Sequence, residues 1–90
     1  MTAGNLLRAR GVSASAAVQQ SAFRVGVEDW RNGRPLRRGS DLPPLDGISD
    51  SVANRERIYE TGRLVAMYAR HRHRTVNAAT AIAAKRDGYI

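Results

Sequence analysis

Apolar positions recur with a helical period in two stretches of this chain. From Ser15 to Asn32, at 100° per residue, Ala16, Phe23, Val27 and Trp30 fall on one side. Ala22 and Gly26 lie at its margin, and Arg24, Glu28 and Arg31 face away. Ser13 or Ser15 can cap this first helix, and Gly33 followed by Pro35 ends it. A second helix starts at Asp50 or Ser51 and runs through "VANRERIYETGRLVAMYAR", with Ile58, Gly62, Val65, Ala66 and Ala69 on one face. The intervening residues 33–51, rich in Gly, Pro, Asp, Ser and Arg, read as a long irregular connection.

Beyond the second helix, "VNAATAIAAKR" has good helix propensity but little apolar bulk, so it extends that helix or forms a short third one before Gly88. No alternating pattern argues for a strand. Both main helices carry a glycine near the middle, Gly26 and Gly62, where glycine costs up to about 1 kcal/mol relative to alanine. A close backbone crossing at these two positions would offset that cost, with Phe23, Trp30, Ile58 and Tyr59 filling its flanks. The expected fold is therefore all-α. A two-helix hairpin (residues 15–70) has an irregular Pro/Gly/Arg-rich connection, a flexible N-terminal extension (1–14) and a basic, Ala-rich C-terminal arm (71–90).

Charge adds what the pattern cannot. The 90 residues carry a formal charge of +7, and the 15 basic residues are 14 arginines and Lys85. Residues 1–14 contribute +2, residues 15–70 another +2 and residues 71–90 the remaining +3. Within the middle, "RNGRPLRR" gathers Arg31, Arg34, Arg37 and Arg38 with no acid among them. The planar guanidinium fork matches phosphate better than a lysine ammonium does, so this distribution points to a polyanionic partner. The chain has no cysteine, which removes disulfides and thiolate metal sites and fits the cytoplasm. No window approaches the roughly 20 apolar residues of a membrane span, and no membrane partner is expected.

"RHRHR", residues 70–74, raises the question of a metal site. On a helix His71 and His73 point about 200° apart, and no carboxylate stands nearby to complete a zinc shell. On a helix these residues circle the axis and leave no apolar face, so the chain must leave the core near Arg70. Arg70, Arg72 and Arg74 then suit a phosphate-binding arm. Enzyme signatures are missing: no Walker-type Gly-Lys-Ser, no HExxH, no Cys nucleophile, and no Ser, His and Asp set that such a scaffold could hold. Neither catalysis nor a cofactor is expected.

"AFRVGVEDWRNGR", a Pro-containing loop and "RERIYETGRLVAMYAR" together resemble the ribosome modulation factor family of small basic bacterial proteins, over residues 22–70. The resemblance rests on Gly26, Trp30, Gly33 and Arg34 in the first helix and Arg55, Tyr59 and Gly62 in the second. The chain departs from the family in having Trp30 for a glycine, "LPPLDG" in a longer loop, and extensions at both ends. The resemblance implies binding to the small ribosomal subunit near the 3′ end of its RNA, blocked initiation and inactive ribosome dimers in stationary phase. Arg34, Arg55, Tyr59 and the structural glycines carry over from it.

The expected function is thus a cytoplasmic, hibernation-type translation regulator that binds ribosomal RNA through Arg31, Arg34, Arg37, Arg38, Arg55, Arg63, Arg70, Arg72 and Arg74. Tyr68, Tyr89 and Tyr59 are the aromatics that could stack on bases, although Phe23, Trp30 and Tyr59 also sit where a core would need them. The alternative is a small phage or mobile-element inhibitor that docks on an acidic surface of a host protein complex. The Ala-rich tail also suits a homodimer.

Overall fold

The computed structural model describes residues 12–90. In chain order its elements are α1 (Ala14–Val18), α2 (Ser21–Arg31), one 3-10 turn (Gly39–Asp41), α3 (Val52–His71) and α4 (Ala78–Arg86). The protein is all-α, with no strand among the described residues. Of the expected N-terminal extension, residues 1–11 lie outside the described residues. Ser13 caps α1, and Ala14 is buried.

Three helices start where a side chain takes over an amide that the first turn leaves unpaired. Ser13 Oγ accepts from Ala16 N (3.1 Å), Ser51 Oγ from Asn54 N (3.1 Å) and Asn77 Oδ1 from Thr80 N (2.9 Å). Gln20 precedes α2 in an extended conformation, and its side chain is engaged elsewhere. It donates to the Asp46 carbonyl (2.6 Å) and accepts from the Asp46 amide (2.9 Å). The single helix expected over Ser15–Asn32 is therefore two helices, broken at Gln19 and Gln20. The break turns α1 so that Ala14 and Ala17 face the core in place of Ala16.

The last three helices end alike, each with paired bonds that close a left-handed turn. Arg34 N bonds to Asp29 O (2.8 Å) and Gly33 N to Trp30 O (3.2 Å). Arg74 N bonds to Ala69 O (2.8 Å) and His73 N to Arg70 O (3.3 Å), and Tyr89 and Gly88 repeat the pattern on Ala84 and Lys85. Gly33 and Gly88 take the left-handed position at φ 64° and 84°, and His73 takes it at φ 54° despite its Cβ. "RHRHR" is thus the end of a helix and its closing turn.

α2 and α3 cross at the two mid-helix glycines. A Cβ on Gly26 would overlap the Tyr59 carbonyl, and one on Gly62 would overlap the Phe23 carbonyl. Phe23, Ile58, Tyr59 and Val65 are buried around the crossing, while Trp30 lies half-buried on its flank. Full burial of each large apolar side chain contributes about 1.5–3 kcal/mol.

The remainder differs from a hairpin with a free arm. α4 packs on α1 through Ala14 and Ala17 on one side and Ala81 and Ala84 on the other, all buried, while Ile82 is 53% exposed. Small side chains let these helices approach closely, so Ala-rich sequence serves as core here. Ile90 is buried, and Tyr68 donates to Asp87 (2.7 Å) while meeting Tyr89 edge to face at 4.9 Å. Residues 71–90 therefore belong to the folded body. α3, at 20 residues, is about 30 Å long at 1.5 Å per residue.

The long connection is tied down along its length. Glu56 accepts from the Gly39 amide (3.1 Å), Leu42 and Leu45 are buried, and Gln20 holds Asp46. Arg55 grips Asp50 with Nε and Nη2 (2.7 and 2.8 Å) and reaches the Leu42 carbonyl with Nη1 (3.2 Å).

Two stability effects follow, both opposite to what side-chain size alone suggests. Ala at an exposed mid-helix glycine stabilises by up to about 1 kcal/mol. Gly62→Ala and Gly26→Ala are expected instead to destabilise by roughly 1–3 kcal/mol in urea unfolding, because the methyl forces two backbones apart; a gain in either would refute the close crossing. His73→Gly is expected to stabilise by up to about 1 kcal/mol, since only the left-handed cost of a Cβ is removed. A loss would show that the imidazole contributes contacts that outweigh that cost.

Candidate nucleic-acid interface

The chain leaves α2 through the Gly33 turn and runs without regular secondary structure from Arg34 to Arg38 before the 3-10 turn. This path brings Arg34 and Arg37 over Asp29, which is completely buried at 0% exposure. Arg37 meets the carboxylate with two nitrogens, Nε on Oδ2 at 2.8 Å and Nη2 on Oδ1 at 3.1 Å. Arg34 Nη1 stands 3.6 Å from Oδ1. From the protein side, the Tyr59 hydroxyl donates to Oδ2 at 2.7 Å. Arg63 closes the set by donating to the Arg34 carbonyl (3.2 Å) and the Tyr59 hydroxyl (3.3 Å), with its guanidinium 5.8 Å from the Tyr59 ring.

A buried carboxylate needs such partners, because desolvation alone favours its neutral form. The Arg37 fork outweighs that burial, assisted by the Tyr59 hydroxyl and the charge of Arg34, and holds the Asp29 pKa at about 2. Burial, and then donation to Asp29, push the Tyr59 phenol above its ordinary value. Asp50 is likewise lowered to about 2, first by the Arg55 fork and then by the Leu45 amide.

The expected arginine set divides under this geometry. Arg34, Arg37 and Arg38 line one open groove of about 380 Å³ with Asp29, Pro35, Leu36 and Asp41, and Leu36 projects outward at 66% exposure. Arg63 is not part of the lining but is bonded to it through the Arg34 carbonyl. Arg55 is withdrawn from the set: its fork and its third nitrogen hold Asp50 and Leu42, so its charge staples the connection to α3. Arg31 faces another side of α2, 3.5 Å from Glu28.

Arg70, Arg72 and Arg74 form a second basic cluster at the end of α3, with Arg72 roughly 13 Å along the axis from Arg63 at 1.5 Å per residue. Arg72 lies over the buried Tyr68 ring at 5.5 Å. Basic groups there also suit the negative end of the helix dipole. Tyr59 and Tyr68 are both 2% exposed, so neither is free to stack on a base, and Tyr89 packs on Tyr68.

Sequence reasoning missed Asp29 and Gln20 as organisers. Asp29 lies one turn before Gly33 on the α2 face that meets Tyr59, which was a usable signal; nothing local marks Gln20. A second, more apolar groove of about 570 Å³ lies between α2 and the α3–α4 connection. Val18, Phe23, Val27 and Val76 line it, with Arg24 and the Glu28–Arg31 pair at its edge. No helix among the described residues is long and apolar enough to cross a membrane.

Comparison with protein-family models, curated proteins and solved structures finds no match to this chain.

Asp29 also sets a pH dependence. Its pKa is lower in the folded chain than in the unfolded one, so its contribution is complete above the unfolded value near 3.8 and is lost as pH falls from there towards 2. At about 1.4 kcal/mol per pKa unit, that contribution is on the order of 2 kcal/mol. Asp29→Asn is expected to lower stability at pH 7 by roughly 2–3 kcal/mol, and to flatten the decline between pH 4 and pH 2. Denaturant midpoints at pH 7, 4 and 2.5 measure both; equally steep acid declines in the two proteins would remove Asp29 from this role.

Proposed function

We propose that this protein is a ribosome-binding translation regulator of the hibernation type, which acts in the cytoplasm by stoichiometric binding to ribosomal RNA of the small subunit. The observation that carries this reading is the open groove lined by Arg34, Arg37 and Arg38 on a chain of charge +7. A second support is the resemblance of residues 22–70 to the ribosome modulation factor family, in which Arg34 is a matched basic position. Binding requires no catalytic group: arginines at the loop neutralise backbone phosphates and release counterions. The cluster at Arg70, Arg72 and Arg74 would extend the footprint along a strand or onto a neighbouring helix of the RNA. With Tyr59 and Tyr68 in the core, affinity rests on phosphate contacts and arginine planes in place of tyrosine stacking.

The groove formed by Val18, Phe23, Val27 and Val76 supports a second reading, an inhibitor that docks on a host protein, because an apolar floor edged by Arg24, Glu28 and Arg31 suits an amphipathic segment.

Sedimentation of the purified protein with ribosomes at low and moderate salt separates the two. RNA binding predicts co-sedimentation with the small subunit, with log K falling against log salt. Arg34→Ala combined with Arg38→Ala should weaken binding and reduce the slope by roughly 1.4–1.8, at 0.7–0.9 per lost phosphate contact. Protein that stays in the supernatant at both salts sinks the ribosome reading. Capture of a specific protein from nuclease-treated lysate, abolished by Val76→Glu at the partly buried rim of that groove, would then support the second.

A further inference from the structure

We propose that buried Asp29 converts Arg34 and Arg37 into one fixed receptor for a single phosphodiester phosphate, seated in the groove between Arg34, Arg37 and Arg38. The inference rests on the RNA-binding reading above and specifies which part of the surface grips the chain.

Two guanidiniums repel one another, and on a solvated loop they would separate. Here both lean on the same carboxylate, at 2.8 and 3.1 Å for Arg37 and 3.6 Å for Arg34. One negative charge therefore holds two positive groups together, and the pair keeps a net charge of about +1, matching the single charge of a phosphodiester. Arg38 adds to this charge, and exposed Asp41 on the same rim offsets it.

The donors also point the right way. Of the five N–H groups on Arg37, the Nε–H and one on Nη2 face Asp29, which leaves three on its outer edge. The Arg34 and Arg37 side chains remain 55% and 40% exposed, whereas the Asp29 side chain is 1% exposed. A ligand oxygen thus meets guanidinium edges and not the carboxylate beneath them. Asp29 is a positioning residue, as is Arg63, whose bond to the Arg34 carbonyl fixes the backbone at one end of the receptor. Because the fold has already ordered these side chains, binding need not do so, and preorganisation raises affinity beyond what net charge supplies.

Charge and geometry make different predictions for two variants. Arg37→Lys keeps the charge and an ion pair with Asp29 but loses the fork. Asp29→Asn raises the net charge by one while releasing both arginines. A labelled single-stranded RNA 12-mer and the DNA of the same sequence would be titrated by fluorescence anisotropy at fixed salt, with Arg86→Lys as a charge-conserving control remote from the groove. Native helix content would be verified by circular dichroism.

A fixed receptor predicts that Arg37→Lys weakens binding about five- to tenfold, by the same factor for RNA and DNA, since phosphate and not the 2′-hydroxyl is read. Arg86→Lys should stay within twofold. Asp29→Asn, where it retains native helix content, should bind more weakly despite its added charge. Unchanged binding by Arg37→Lys, or a loss confined to RNA, overturns the receptor while wild-type binding leaves the RNA reading in place. Absence of wild-type binding to either oligonucleotide at low salt overturns both.

Discussion

The contact on which the rest of this structure depends is the crossing of α2 and α3, where each helix presents a glycine to a backbone carbonyl of the other. Gly26 faces Tyr59 and Gly62 faces Phe23, so neither helix can shift along its partner without driving side-chain volume into backbone. This fixes the register of the pair and brings Asp29 under the Tyr59 hydroxyl. A carboxylate so placed must be matched by cations. The cations come from the segment that follows α2, which binds the start of the long connection to the core. Close packing and surface charge are therefore one problem in this molecule: the position of the arginines follows from the depth of the crossing.

The connection between α2 and α3 shows how few bonds make an irregular segment rigid. Its ties come from both sides: Asp29 and Gln20 reach out from the first half of the chain, and Arg55 and Glu56 from the first turns of α3. The Gln20 amide presents a donor and an acceptor to one residue, as a neighbouring strand would, so backbone outside any helix is satisfied without a sheet. Buried Leu42 and Leu45 then act as plugs between these ties.

Much of the helical content was legible from period alone. The start of α3 at Ser51 and the end of α2 at Gly33 follow from cap chemistry, and the apolar face holding Ile58, Gly62, Val65, Ala66 and Ala69 is buried as a unit. Legibility failed wherever a residue's meaning depended on a distant partner. The break before Ser21 requires Asp46, which is 26 positions away. Alanine's small size was read as weak core material in residues 76–86, yet in the α1–α4 contact it is what permits close approach. Arginine was read as surface charge throughout, and no local pattern distinguishes Arg55, engaged on Asp50 and Leu42, from Arg38, which faces solvent. His73 took a turn position usually reserved for glycine, so the end of α3 near Arg70 was legible only from the loss of an apolar face in "RHRHR", and its closing turn was not.

The α1–α4 contact joins segments separated by some sixty residues. The crossing of α2 and α3 joins segments much nearer one another along the chain, so closing its loop costs less entropy than closing the loop between α1 and α4. The contact that completes the core is thus the one of longest range, while the one that sets the arginine loop is more local.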